Sequence, residues 1–398
     1  MKIHKILFVH NYYQQPGGED SVFSAEMALL QDHGYNIIKY IDSNHRIGDL
    51  NSLDVAIQTI WSQQSYKKIY EVLVKEEPDL VHFHNIFPLI SPAAYYACKK
   101  LKIPVIQSLD NPRLICPAAT LYRKGKLCLD CLGKTPPYPG IIHGCYHNSR
   151  LQTAVIVTML SVHRWMKTWQ KQVDKYLVAT EFYKKLFIKA GLPAEKIAVK
   201  PHFVRSNPRS DISQKLGEYV LYIGRLDPEK GIPTLLSAWK NLQIPLKIRG
   251  DGQLLQVCSD FIETNNLNFI EIIKRITPEE LKLLISNARF LIWPSEGYYE
   301  TFGMVAVECF SLRKPVVASD IGVMGEVVKN GESGLLFEPG NASDLASKVE
   351  WLWNHPEESK RMGINAYQEY EMKYTPQRNY QLLIDIYSSI ISKNKRNG

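Results

Sequence analysis

Pro294-Ser-Glu-Gly-Tyr-Tyr-Glu300-Thr-Phe-Gly-Met-Val-Ala-Val-Glu308-Cys309 sets two glutamates eight positions apart, across the expected start of a helix. Just before it, Arg289-Phe-Leu-Ile-Trp293 is a short apolar run stopped by Pro294 and Ser295, the pattern of a buried strand running into a loop. From Phe302 to Leu312 the apolar residues return at helical spacing, so a helix is expected from Thr301 or Phe302. A strand-loop-helix step leaves free backbone N–H groups at the helix start, and with the helix dipole these favour a phosphate. Gly303 allows a ligand close to the backbone. Glu300 alone reads equally well as a helix cap. Glu308 is more telling, because an acid on an otherwise apolar helix needs a hydrogen-bonding partner, and sugar or ribose hydroxyls supply one.

The same alternation runs through the chain. Ile3–Val9, Asn36–Ile41, Asp79–Phe83, Pro104–Gln107 and Lys175–Ala179 read as strands, with helical patterns at Ser21–His33, Ser65–Glu76 and Pro92–Lys100. A second set follows: strands Tyr219–Ile223, Pro245–Arg249, Phe269–Ile273, Phe290–Trp293 and Pro315–Ala318, helices Ile232–Leu242, Pro278–Asn287 and Phe302–Leu312. This predicts an α/β protein of two Rossmann-like domains, their parallel sheets facing across a cleft. The expected division is 1–203 and 204–374, with a turn-rich boundary at Pro201–Gly217 and a final helix within 375–398 packing back on the first domain.

At 398 residues, 45% apolar and 22% charged, the chain has an ordinary globular composition with room for two or three cores. The first apolar run is too short for a signal peptide and lacks a small-residue cleavage site, so a cytoplasmic protein is expected. The net charge of +8 is concentrated: residues 150–200 hold ten Lys/Arg and three Asp/Glu. Within them, Thr153–Trp169 is apolar first and then basic, with two tryptophans. It falls short of the ~20 apolar residues of a spanning helix. One reading is a helix lying on the cytoplasmic face of an anionic membrane, a peripheral contact; the other is a buried domain helix with a solvated basic end. No nucleic-acid motif accompanies the charge, so nucleic acid is not an expected partner.

Three strand ends of the second domain suit a diphosphate. Gly224-Arg225-Leu-Asp-Pro-Glu-Lys230-Gly231 offers a glycine and two cations, Gly250-Asp-Gly252 offers close backbone approach, and the third end carries Glu300 and Glu308. Taken singly, a Gly-x-Gly or a lone cation is weak evidence. Together, Tyr222–Gly231, Gly250–Gly252, Glu300–Glu308 and Gly331–Phe337 resemble the retaining glycosyltransferases of family 4, which have the GT-B fold, over about residues 218–340. The resemblance implies that Arg225 and Lys230 hold the donor diphosphate, aided by Gly18, Gly224, Gly250 and backbone groups near Phe302, Gly303 and Met304. It implies that Glu308 binds the ribose and Glu300 the transferred sugar.

In the first domain, Gly17-Gly18-Glu19-Asp20 resembles the family's glycine-pair loop near donor phosphate and acceptor, and reads otherwise as an ordinary turn. Asp79-Leu-Val-His82-Phe-His84 ends a strand in two histidines. His84 is the acceptor-side candidate, whereas His82 reads equally as a satisfied core histidine. The departure is Asp110, where relatives commonly have a histidine facing the reacting sugar. A carboxylate accepts the same hydrogen bond but has an ordinary pKa of ~3.9 against ~6.5. The expected catalytic group is therefore Glu300, Asp110, Arg225 and Lys230. No Asp-x-Asp occurs in the sequence, and preorganised cations can stabilise a leaving diphosphate, so catalysis without a metal cofactor is expected.

Cys116, Cys128, Cys131 and Cys145 fall in thirty residues rich in Pro, Gly and Lys. A loop that long usually needs a tether. Structural zinc suits a Cys-x2-Cys flanked by two further cysteines, with His143 and His147 spare; unlinked cytosolic thiols, disulfides or an iron-sulfur centre are the alternatives. Similar cysteine-bearing loops occur in some bacterial members of the family.

The sequence thus points to an enzyme moving a sugar, with retention, from a nucleotide diphosphate sugar to a glycan or lipid-linked acceptor in cell-surface polysaccharide synthesis. A nucleotide-sugar epimerase of the same fold and a catalytically silent sugar-nucleotide-binding protein are the alternatives.

Overall fold

A computed structural model describes residues 3–15, 17–205, 217–298 and 300–396. Residues 206–216 of the expected boundary, Tyr299 of the opening stretch and Pro16 beside the glycine pair lie outside them.

The chain divides into two compact units: residues 1–121, 129–200 and 380–398 form the first, and 122–128 with 201–379 the second. The short segment Tyr122–Cys128 thus belongs with the second unit by its contacts, which nothing in its sequence indicates.

The first unit holds a six-stranded sheet in the order Asn36–Ser43, Lys5–Tyr12, Leu80–Phe83, Val105–Ser108, Lys175–Val178, Ile197–Val199. Every pair in it is parallel. Leu80–Phe83 and Val105–Ser108 are buried at every position, as a sheet covered on both faces requires. One core joins Ile6, Phe8, Phe23 and Leu80 to Leu383, Tyr387, Ile390 and Ile391. The last four come from the final helix, Pro376–Arg396. That helix therefore supplies part of the first unit's core from the far end of the chain.

The second unit's sheet runs Ile270–Ile273, Leu246–Arg249, Tyr219–Ile223, Ala288–Trp293, Val316–Ser319, Gly334–Phe337, again all parallel. In chain order this is 3-2-1-4-5-6, the doubly wound arrangement whose ligand crevice lies where the order reverses. The reversal falls between Tyr219–Ile223 and Ala288–Trp293, and in the first unit between Lys5–Tyr12 and Leu80–Phe83. Local signals set several boundaries. Helix Pro278–Asn287 starts where expected because Thr277 and Glu280 cap each other reciprocally and Pro278 takes the first turn. The helix expected from Phe302 instead spans Met304–Ser311, since Gly303 adopts φ +92° and cannot be helical. Ile197–Val199 and Gly334–Phe337, short edge strands, carry too few residues to stand out by periodicity.

Candidate active site

The loops leaving the two strands at the second unit's switch point carry the expected donor residues. After Tyr219–Ile223, a one-turn helix Pro228–Lys230 ends at Gly231, whose φ of +71° turns the chain into helix Ile232–Trp239. A Cβ on Gly231 would lie 1.9 Å from the Pro294 carbonyl oxygen, so glycine here lets the two loops touch. That contact brings Lys230 onto Glu300. Its ammonium donates to Glu300 Oε1, and Ser295 Oγ donates to the same oxygen at 3.4 Å. Burial pushes the Glu300 carboxyl up, but the Lys230 charge and hydrogen bonds from Lys230, Trp293 and Ser295 outweigh it and hold it below its ordinary value. Glu300 is therefore an ion-pair partner, and the helix cap is Gly303.

Glu308 lies in helix Met304–Ser311. Burial raises its carboxyl to about 7, against the pull of the Arg249 charge. Among the described residues no group donates a hydrogen bond to its carboxylate, the Ser311 hydroxyl donating to its backbone carbonyl at 2.7 Å. Arg249, at the end of its strand, has its Nε buried without a partner among the described residues, and it is the residue that sequence reading missed. The only signal available was its place just before Gly250. The first amides of Met304–Ser311 have no intrahelical acceptor.

Arg225 is placed differently. Its guanidinium pairs with Asp227 at 2.7 Å and Glu229 at 3.1 Å, and its side chain is 54% exposed. The glycines have structural duties as well. A Cβ on Gly250 would fall 2.0 Å from the Gly224 carbonyl oxygen, one on Gly224 2.7 Å from the Tyr222 hydroxyl, and one on Gly303 2.0 Å from the Trp293 indole. Loop packing alone accounts for them.

At the first unit's switch point, Gly17 caps helix Gly18–Asp32, and open space surrounds the position of a Cβ on Gly18. Glu19 accepts from Tyr13 at 3.1 Å and Asn111 at 2.9 Å. Burial and the nearby charge of Asp110 lift its carboxyl to about 7. Asp20 bonds His10 Nε2 at 2.8 Å, and burial holds His10 down at about 4 despite that bond. His82 is the satisfied core histidine, with Nδ1 on the Tyr387 hydroxyl at 2.7 Å and Nε2 on Ser108 Oγ at 2.9 Å. His84 is fully buried, with Nδ1 3.9 Å from Asp110 and Nε2 3.8 Å from Glu26. It lines a cavity of about 60 Å³ with Glu19, Asp110, Arg113 and Trp169.

The structure does not gather the four loop cysteines. None of the seven cysteines is in a disulfide. Among the described residues, the side chains with three ligand atoms within 4.8 Å of one another are Glu26, His82 and His84. The loop is also held by contacts that involve no cysteine. Arg164 donates to the carbonyls of Leu114, at 2.6 Å, and Lys134, while a hairpin pairs Tyr122–Arg123 with Lys126–Leu127. The basic segment forms helix Arg150–Trp165, which buries Ile156, Val157, Met159, Leu160 and His163 in the first unit and leaves Leu151 and Trp165 exposed. That matches a domain helix with a solvated end. No helix among the described residues is long and apolar enough to cross a membrane.

Residues 206–369 match the family of "Glycosyl transferases group 1". An uncharacterized glycosyltransferase of Methanocaldococcus jannaschii is 37% identical over 155 residues, 39% of this chain and 43% of that protein. The D-rhamnosyltransferase WbpZ of Pseudomonas aeruginosa is 28% identical over 164 residues, 41% and 43% of the two chains. The chain thus spans less than half the length of these curated relatives. The Anabaena protein Alr3699/HepE, solved in complex with UDP, matches at a TM-score of 0.69 and 18% identity over 97% of this chain and 100% of that one, a likeness of fold. The chain has the GT-B fold, and most of its second unit carries the sequence pattern of the glycosyl transferases group 1.

Proposed function

We propose that this protein is a glycosyltransferase that moves a sugar from a nucleoside diphosphate sugar to a hydroxyl of a glycan or lipid-linked acceptor. The observation that carries the reading is the meeting of Lys230 and Glu300 at the second unit's switch point, with Glu308 on the helix that follows and, among the described residues, no donor on its carboxylate. In the donor complex, Lys230 turns from Glu300 to the diphosphate, and Glu300 is released to the hydroxyls of the transferred sugar. Glu308 takes the ribose hydroxyls that supply its missing donors. Lys230, Arg225 and the open amides of helix Met304–Ser311 set fixed positive potential against the leaving diphosphate, which supports catalysis without a metal. UDP in the Anabaena structure supports a nucleotide in the corresponding fold.

Retention of configuration follows from the resemblance of Glu300–Glu308 to family 4. A place in cell-surface glycan synthesis is supported by relatives named as a D-rhamnosyltransferase and an O-antigen chain mannosyltransferase. The exposed Leu151 and Trp165 in a basic segment support a peripheral contact with an anionic membrane surface on the cytoplasmic side.

A thermal-shift screen against UDP-, GDP-, ADP- and TDP-sugars, with and without a chelator, tests the reading, because a ligand bound only to the native state raises its Tm. One sugar nucleotide is expected to raise Tm equally in both conditions and to be consumed only when an acceptor is present. Consumption without acceptor identifies an epimerase or hydrolase, and no shift with any donor removes the donor site.

A further inference from the structure

The first unit's switch point contains a buried row of charge that the donor reading does not use. The Lys200 ammonium sits on Glu26 Oε1, with the two side chains 2% and 1% exposed. The other oxygen, Glu26 Oε2, has no hydrogen-bond partner and lies 3.8 Å from His84 Nε2. On the far side of the ring, Nδ1 lies 3.9 Å from Asp110 Oδ2, on the wall of the 60 Å³ cavity. Both ring nitrogens are buried without a hydrogen-bond partner among the described residues.

Both neighbours of this ring are acceptors. A neutral imidazole has one donor and one acceptor nitrogen, so one buried lone pair would face a carboxylate. A ring protonated on both nitrogens turns an N–H toward the carboxylate on each side, 3.8 and 3.9 Å away. The row Lys200, Glu26, His84, Asp110 then alternates in sign and sums to zero, the arrangement in which buried charges offset their desolvation. Glu26, His82 and His84 are close enough for a cation, but both nitrogens of His82 are engaged and Lys200 already places a positive charge on Glu26.

We infer that His84 is a positioning residue whose doubly protonated ring bridges Glu26 and Asp110 and holds Asp110 as a carboxylate on the cavity wall, where it accepts the hydroxyl of a sugar acceptor. The acceptor clause rests on the proposed glycosyltransferase reading; the bridge does not. The other titratable groups around the row are His10 on strand Lys5–Tyr12, Glu19 and Asp20 on helix Gly18–Asp32, His82 on its own strand, Arg113 beside the cavity and Tyr387 on the final helix. His82 and His10 are both held low, burial being the main cause and the His84 charge a further one.

The test is histidine-selective ¹⁵N/¹³C labelling of the full chain, with long-range ¹H–¹⁵N spectra near neutral pH and His84 assigned by its loss in His84→Gln. The wild-type ring is expected to be protonated on both nitrogens, and to return to a single proton in Asp110→Asn. A singly protonated wild-type ring overturns the inference. If His84→Gln does not fold, the histidine that responds to Asp110→Asn makes the assignment. With the donor found by the sugar-nucleotide screen and methyl glycosides as acceptors, His84→Gln is expected to move the acid limb of the transfer profile up by about one pH unit, since removing a neighbouring cation raises the proton affinity of Asp110. An unmoved limb overturns the acceptor clause. Absence of transfer in the wild type defeats the glycosyltransferase reading and leaves the ring's charge decided by the spectra.

Discussion

The two switch points share a topology and solve opposite problems. In the second unit the charged groups lie near the surface of two touching loops: Lys230 and Glu300 keep 13% and 17% of their side-chain exposure, and Arg225 keeps 54%. In the first unit, His10, His82, His84 and Glu26 are almost completely buried beneath the strand ends. A pair at the rim can exchange its partner for a ligand, whereas a buried row is fixed and can only set the charge of what lies next to it. The first arrangement suits binding a polyanion, the second suits tuning one carboxylate.

Substitutions can break this contrast. The largest effect is expected from Gly303→Ala. The position has φ +92° and its Cβ would fall 2.0 Å from the Trp293 ring, so strain and overpacking together should cost about 3 kcal/mol of stability by chemical denaturation. A loss under about 0.5 kcal/mol would show that the indole moves aside freely. Next is Lys230→Ala. Loss of a charge-assisted contact is worth about 1.5–3 kcal/mol, so donor affinity in calorimetry should fall roughly tenfold to a hundredfold. Arg225→Ala should fall well short of that, because its guanidinium is already paired and half exposed. Equal losses would erase the distinction drawn between the two cations.

Glu308 sharpens the comparison through pH. Burial raises its carboxyl to about 7, and in the proposed donor complex the ionised form would accept the ribose hydroxyls. Binding therefore favours the deprotonated state, and nucleotide affinity should rise about tenfold between roughly pH 6 and pH 8 and then level off. Glu308→Gln should bind more weakly and lose that slope; a slope that survives the substitution assigns the titration to another group. The smallest effect is expected at the first unit's buried end. Tyr387→Phe removes the hydroxyl on His82 Nδ1 and should cost about 1 kcal/mol of stability while leaving donor affinity unchanged.

The contrast also explains what could be read in advance. The donor residues lie in short linear stretches whose glycines, prolines and cations carry local instructions, and Tyr219–Ile223 and Pro278–Asn287 have the bounds read from sequence. The buried row was legible only as separate residues. His84 stood out at a strand end, but Glu26 and Lys200 lie 174 positions apart, and a lone acid in a helix or lysine after a strand looks like a solvated surface charge. The cysteine loop shows the converse. Its spacing fits a metal motif, while the hairpin and the Arg164 hydrogen bonds that shape it are tertiary. Arg249 escaped notice because a single arginine at a strand end carries no pattern of its own.

The final helix has a consequence for synthesis. The first unit's core includes Leu383, Tyr387, Ile390 and Ile391, made after every residue of the second unit. On the ribosome, residues 201–379 emerge with their own core complete, while the amino-terminal unit, translated first, still lacks one wall. The half of the chain that is made first is thus the last to close.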